Sequence, residues 1–156
     1  MNGTRTSLRD RLLVCFQSDP EILLFSIYFD AAAQQQHFPA IFPQVYLHYD
    51  PRTARELKGK PRIPRQRMDF LLLLPGGVRI VLEIDGQHHY TSEPGIASPS
   101  KYAEMVQEDR RLRLAGYDIY RFGGQEFVTD DGGEKAVRAF FRRLFHKHEL
   151  KGRKSA

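Results

Sequence analysis

The sequence predicts an α/β protein: a mixed sheet of about four strands flanked by helices, in the order α-α-β-β-β-α-β-α. Three observations carry this. Two apolar runs, QRMDFLLLL and VRIVLEID, are joined by Pro75-Gly76-Gly77 and read as strands of a hairpin. A helical stretch, KYAEMVQEDRRLRLAG, separates the second run from a further strand, YDIYRF, which is the order of a right-handed crossover. Helical segments precede and follow this block, so both sheet faces have cover.

Each element has its own signal. Residues 8–17 read as a short helix. Ser18 and Asp19 then offer caps, and Pro20 suits a first helical turn, so the next helix is expected over 20–36. Its apolar positions Ile22, Leu23, Ile27 and Ala31 recur at helical spacing. Residues 38–43 read as a turn. QVYLHYD, 44–50, alternates Val45, Leu47 and Tyr49 against polar neighbours, the pattern of a half-buried strand. A basic loop with prolines follows over 51–65. Beyond the hairpin, 91–100 is polar, contains Pro94 and Pro99, and reads as a loop. Gly116 closes the crossover helix, where a left-handed residue is favoured. GGQEF turns the chain, and 134–148 is an amphipathic helix with Phe140, Phe141, Leu144 and Phe145 assigned to the core.

At 156 residues, 41% hydrophobic and 28% charged, the chain fits one soluble domain over 1–150, with KGRKSA (151–156) as a basic, disordered tail. Its longest apolar run, 70–74, is strand-sized, far below the ~20 residues that span a bilayer. The start lacks the apolar centre of a signal peptide, so a cytoplasmic setting is expected. The single cysteine, Cys15, excludes an internal disulfide and Cys-rich zinc sites and is read as a small core residue. A net charge of +5 and a pI near 9.5 arise unevenly, from clusters between Arg52 and Arg67 and between Arg142 and Lys154. Such clusters suit a polyanion, nucleic acid being the common one; a solvated surface accounts for them equally well.

The chemistry gathers at the hairpin. With a three-residue turn, Leu74 pairs with Val78 and Asp69 falls opposite Glu83. One face then carries Phe70, Leu72, Leu74, Val78, Ile80, Leu82 and Ile84 and needs helical cover. The other carries Asp69, Leu71, Val81, Glu83 and Asp85, with three acids at one end. A four-residue turn would set Asp69 opposite Ile84 instead. Opposed side chains in a sheet have Cβ atoms ~4.5–5.5 Å apart, where like charges repel. Three things can offset this: a divalent cation, Mg2+ or Mn2+; a structural arginine, with Arg67, Arg79 and Arg121 as candidates; or a raised carboxylate pKa. Gly86 at the strand exit permits close approach of a ligand. His88 and His89 follow, and a neutral imidazole there can take a proton from water, give one to a leaving oxygen, or bind the ion. The bland alternative is a pair of histidines hydrogen-bonded to neighbouring backbone.

Asp69, the hairpin, Glu83-x-Asp85-Gly86-x-x-His89, a helix with Asp109 and Leu112, and then GYDIYRF together resemble the PD-(D/E)xK nuclease superfamily. More narrowly they resemble its very-short-patch-repair-like branch and the related domains of unknown function 559. The likeness covers about 65–127. It implies a restriction-endonuclease-like core and metal-assisted phosphodiester cleavage, and similar modules occur in phage-defence proteins. It implies Asp69 and Glu83 as metal-binding acids, with the carbonyl of Ile84 as a further ligand. Asp85 stands where the superfamily has its lysine. His89 matches the histidine of the variant branch and can substitute, with Gln87 and Lys101 as other candidates. Glu21, on the long N-terminal helix, is the candidate for the superfamily's helix-borne acid.

The expected activity is therefore a metal-dependent nuclease acting on DNA, with RNA as the other substrate, in phage defence or DNA repair. The alternative is a decayed, nucleic-acid-binding module of the same fold. A homodimer or a larger defence complex is the expected assembly. The basic loop with Arg62, Arg65 and Arg67, together with Lys101 and Arg121, is assigned to phosphate contacts, which position a strand without reading its sequence. On the crossover helix, Asp109 is expected to pair with Arg113 at helical spacing, or else to contact His88 or His89.

Overall fold

A computed structural model describes residues 7–33, 38–46, 67–86, 91–93, 96–129 and 131–148. Helix α1, Leu8–Leu13, starts at a capping box in which Ser7 and Asp10 bond reciprocally, and it ends four residues short of the expected helix. Helix α2 is Asp19–Ala33. Strand β1, Ala40–Tyr46, begins inside the stretch read as a turn. Pro43, the residue that suggested a turn, pairs opposite Phe70 on an edge strand, where a missing amide is tolerated. The rest of the predicted strand, 47–50, lies outside the described residues, as does the loop over 51–65.

Strands β2, Arg67–Leu73, and β3, Arg79–Asp85, form the hairpin. Its corner is the expected three residues, with Gly76 and Gly77 at φ of 77° and 78°, a conformation that costs glycine little. The Leu74 N–H donates to the Val78 carbonyl, which closes the turn. Where a loop was expected over 91–100, a small separate ladder forms between β4, Thr91–Glu93, and β5, Ile96–Ala97. Two short paired segments are too brief to leave a periodic signal. Helix α3, Pro99–Leu114, leads to β6, Tyr117–Gly123, which pairs in parallel with β3. Helix α4, Glu134–Lys147, completes the described fold.

The main sheet has the order β1-β2-β3-β6, antiparallel except for the last pair, and so is mixed. Helices cover both faces. On one, Phe70, Leu72, Leu74, Ile80, Leu82 and Ile84 pack with Leu24, Phe25 and Tyr28 of α2 and Val137, Phe141 and Leu144 of α4. The Tyr28 hydroxyl donates to the Pro39 carbonyl beneath the rings of Phe38, Phe141 and Phe145. On the other face, Met68, Val81, Leu112 of α3 and Ile119 form a smaller cluster. Cys15 corrects its expectation: it is exposed, in the turn after α1. Among the described residues, no helix is long and apolar enough to cross a membrane.

One irregularity shapes everything downstream. Met68 packs on the α3 side with Val81, whereas Phe70, two residues on, packs on the α2 side. Their partners on β1 divide the same way, Val45 with Met68 and Ile41 with Leu72. Residues two apart should share a face, so both strands turn over between these positions. Gln44 lies there with φ of 53°, and the β1–β2 ladder skips its pairing with Asp69.

Candidate functional site

The turnover places Asp69 at the end of the hairpin with its carboxylate toward β3. Its Oδ2 accepts the Ile84 N–H at 2.9 Å. The hairpin register runs from Leu73 opposite Arg79 to Phe70 opposite Leu82, as the three-residue turn requires, and Asp69 and Glu83 are the next residues along the two strands. Both acids are nearly closed off from solvent, at 7% and 8% exposure. They line a cleft of about 340 Å3 together with Glu21, Gln17, Ser18, Pro20, Arg67, Ile84, Gly86 and Gly124. The N-terminal end of α2 forms one wall and the exits of β3 and β6 form the other.

Glu21, the candidate for the helix-borne acid, lines this cleft. Its Oε2 accepts from the Gln17 N–H and from Gln44 Nε2, each at 3.1 Å. Its Oε1 takes no hydrogen bond from the described residues. The left-handed backbone at Gln44 thus delivers a side chain to the acid across the sheet edge. Gly124 comes close from the other side: a Cβ there would lie 3.2 Å from the Asp85 carbonyl and 3.7 Å from Gly86.

The three acids of the hairpin divide. Asp85 is neutralised by a guanidinium, one of the alternatives left open by the sequence. Arg121 Nη1 donates to its Oδ1 at 2.7 Å. The same guanidinium reaches Asp109 through Nη2 at 2.8 Å and through Nε at 3.0 and 3.3 Å. Asp109 therefore corrects the expected pairing with Arg113: its partner is on β6, a contact that helical spacing cannot reveal. Burial opposes the charge on Arg121, but the bonds to Asp109 and the charge of Asp85 outweigh it and hold its pKa above the ordinary value. Arg79 is spent elsewhere, donating to the Ala115 carbonyl and lying over the Tyr117 ring.

Among the described residues, no guanidinium bonds Asp69 or Glu83 in this way. None of the ion pairs among the described residues includes Glu21, Asp69 or Glu83. Burial, and then the charge of Asp69, push Glu83 up to about 8. Burial also raises Asp69, against the lowering effect of the Ile84 N–H. Two neighbouring carboxyl groups, both pushed upward by burial, form a hard oxygen donor pair. Magnesium commonly takes one or two carboxylates and fills its remaining positions with water and phosphate oxygens. Among the described residues no group of three or more His, Cys, Asp or Glu side chains is disposed to hold a metal together. The donor set fits an ion of the magnesium type and does not fit an all-protein cage.

Ile84 lines the cleft, with its N–H committed to Asp69. Arg67 lines it too. Lys101 is exposed in the first turn of α3, its N–H on the Ser98 hydroxyl, and is not among the cleft residues. Gln87, His88, His89, Arg62 and Arg65 lie outside the described residues. Gln17, Ser18, Gln44 and Gly124 were not singled out from sequence. Only Ser18 carried a signal, as the helix cap before Pro20.

Comparison with family models, with curated proteins and with solved structures finds no match to this chain.

Proposed function

We propose that the chain is a metal-dependent endonuclease that hydrolyses phosphodiester bonds of nucleic acid, DNA ahead of RNA, on a restriction-endonuclease-like core. The observation that carries the reading is the buried Asp69–Glu83 couple in an open cleft, without an ion pair among the described residues. The likeness of its motif to the PD-(D/E)xK superfamily supports it, and phage defence or DNA repair is the setting that likeness suggests. Asp69 and Glu83 would hold Mg2+ or Mn2+, with Glu21 Oε1 and the Ile84 carbonyl as neighbouring oxygens. When bound, the ion would neutralise charge growing on the phosphoryl oxygens and acidify the attacking water. Glu21, fixed by Gln17 and Gln44, orients what enters beside Asp69. His89 is the candidate to take the proton from water, in the absence of a lysine at Asp85.

The test is cleavage of plasmid DNA and of RNA with Mn2+ or Mg2+. Nicking by wild type, lost at least 100-fold in Glu83→Ala and Asp69→Asn, is the expected result. No cleavage of either substrate, or undiminished cleavage by Glu83→Ala, would falsify the reading.

A second reading has one observation in its favour. Asp85 occupies the place of the superfamily's lysine and is locked to Arg121, so no described side chain stands ready to orient water there. On that reading the chain binds nucleic acid without cutting it. Salt-sensitive binding with no uptake of manganese by calorimetry would distinguish it.

A further inference from the structure

Two of the arginines weighed against the acid cluster, Arg121 and Arg79, are held by protein groups. Arg67 is the sole cationic side chain among the described residues lining the cleft. It opens β2, two residues before Asp69, and pairs opposite Tyr46 of the edge strand. A guanidinium has five N–H donors. Arg67 uses one on the described residues, from Nη2 to Gln17 Oε1, at a long 3.4 Å, and it makes no direct ion pair with a described carboxylate, acting on Asp69 only through its charge. The described lining sets three carboxyl groups, of Glu21, Asp69 and Glu83, against this one guanidinium. A phosphate entering it needs positive charge on its own side.

We propose that Arg67 is the phosphate-holding residue of this cleft, its guanidinium gripping a non-bridging oxygen of the nucleic-acid backbone beside Asp69 and Glu83. The planar fork suits two phosphate oxygens at once, which a lysine does not. Gln17 aims the guanidinium without neutralising it. This deepens the nuclease reading and rests on it for the identity of the ligand.

The test is anisotropy of a labelled 20-base-pair DNA duplex with Ca2+, a divalent ion of the same oxygen preference, read as affinity against salt for wild type, Arg67→Gln, Arg67→Lys and the exposed Lys135→Gln of α4. Arg67→Gln should weaken binding about tenfold and lower the salt slope by about 0.9, the loss of one phosphate contact. Arg67→Lys should restore the slope with weaker binding, and Lys135→Gln should match wild type. An unchanged slope in Arg67→Gln, or no salt-dependent binding by wild type, overturns the proposal. A purely structural role would lower the melting temperature and leave the slope alone, which also overturns it. Manganese uptake weakened in Arg67→Gln would assign the residue to the acids instead. A failure of the nuclease reading is separate: no cleavage in manganese, with the slope difference intact.

Discussion

Glu83 is an acid whose environment disfavours its own charge. Its pKa of about 8 lies above the ordinary value of 4.5, with burial as the main cause and Asp69 the second. Between those two values the metal-free folded protein holds a proton that the unfolded chain has released. Stability therefore falls as pH rises through the window, by about 1.4 kcal/mol per pH unit at most. Glu83→Gln removes the titrating group while keeping its shape. Urea midpoints at pH 5 and pH 8 should differ strongly in metal-free wild type and much less in the variant. Equal slopes with pH in both proteins would show that Glu83 titrates normally. The same residue illustrates what a sequence conveys about a site. Its position opposite Asp69 follows from a three-residue corner and the two-residue alternation of strands. That it goes without a guanidinium while Asp85 has one does not follow, because Arg121 could face either acid until α3 supplies Asp109 from across the crossover.

At the scale of elements, Arg121 ties three of them together: it sits on β6 and holds Asp85 of β3 and Asp109 of α3. The small apolar cluster beneath α3 gives that helix only Leu112 as a fully buried anchor, so the polar tie carries much of its docking. Removing Arg121 takes the shared guanidinium away from two carboxylates. Arg121→Met should cost about 3 kcal/mol by urea denaturation, and the double variant with Asp109→Leu should recover part of it. A loss under about 0.5 kcal/mol would mean the set is solvated. The hairpin, the crossover and both flanking helices were legible because each rests on local periodicity or turn chemistry. Strand β1 was misplaced because Pro43 is a breaker only where its amide is needed. The face change at Gln44 and Asp69 was invisible, since a left-handed glutamine leaves no mark in composition and arises from packing on both sides of the sheet.

For the whole molecule, the proposed ion binds the folded state alone, because Asp69 and Glu83 come from separate strands and meet only on folding. Binding should then stabilise the protein by mass action, about 3 kcal/mol at a hundredfold excess over the dissociation constant. For a chain of this length that is roughly 5–10 °C in melting temperature. Differential scanning fluorimetry with Mn2+ should show the rise in wild type and its loss in Asp69→Asn. A rise preserved in that variant would move the ion away from the cleft.

The turnover of β1 and β2 has an effect outside the cleft. An edge strand is a template on which a foreign chain can add, provided its free amides and carbonyls form an unbroken row. Here that row is interrupted twice in succession, by Pro43 with no amide and by Gln44 with its backbone rotated. The kink that hands Gln44 to Glu21 therefore also blunts the exposed margin of the sheet against runaway self-association.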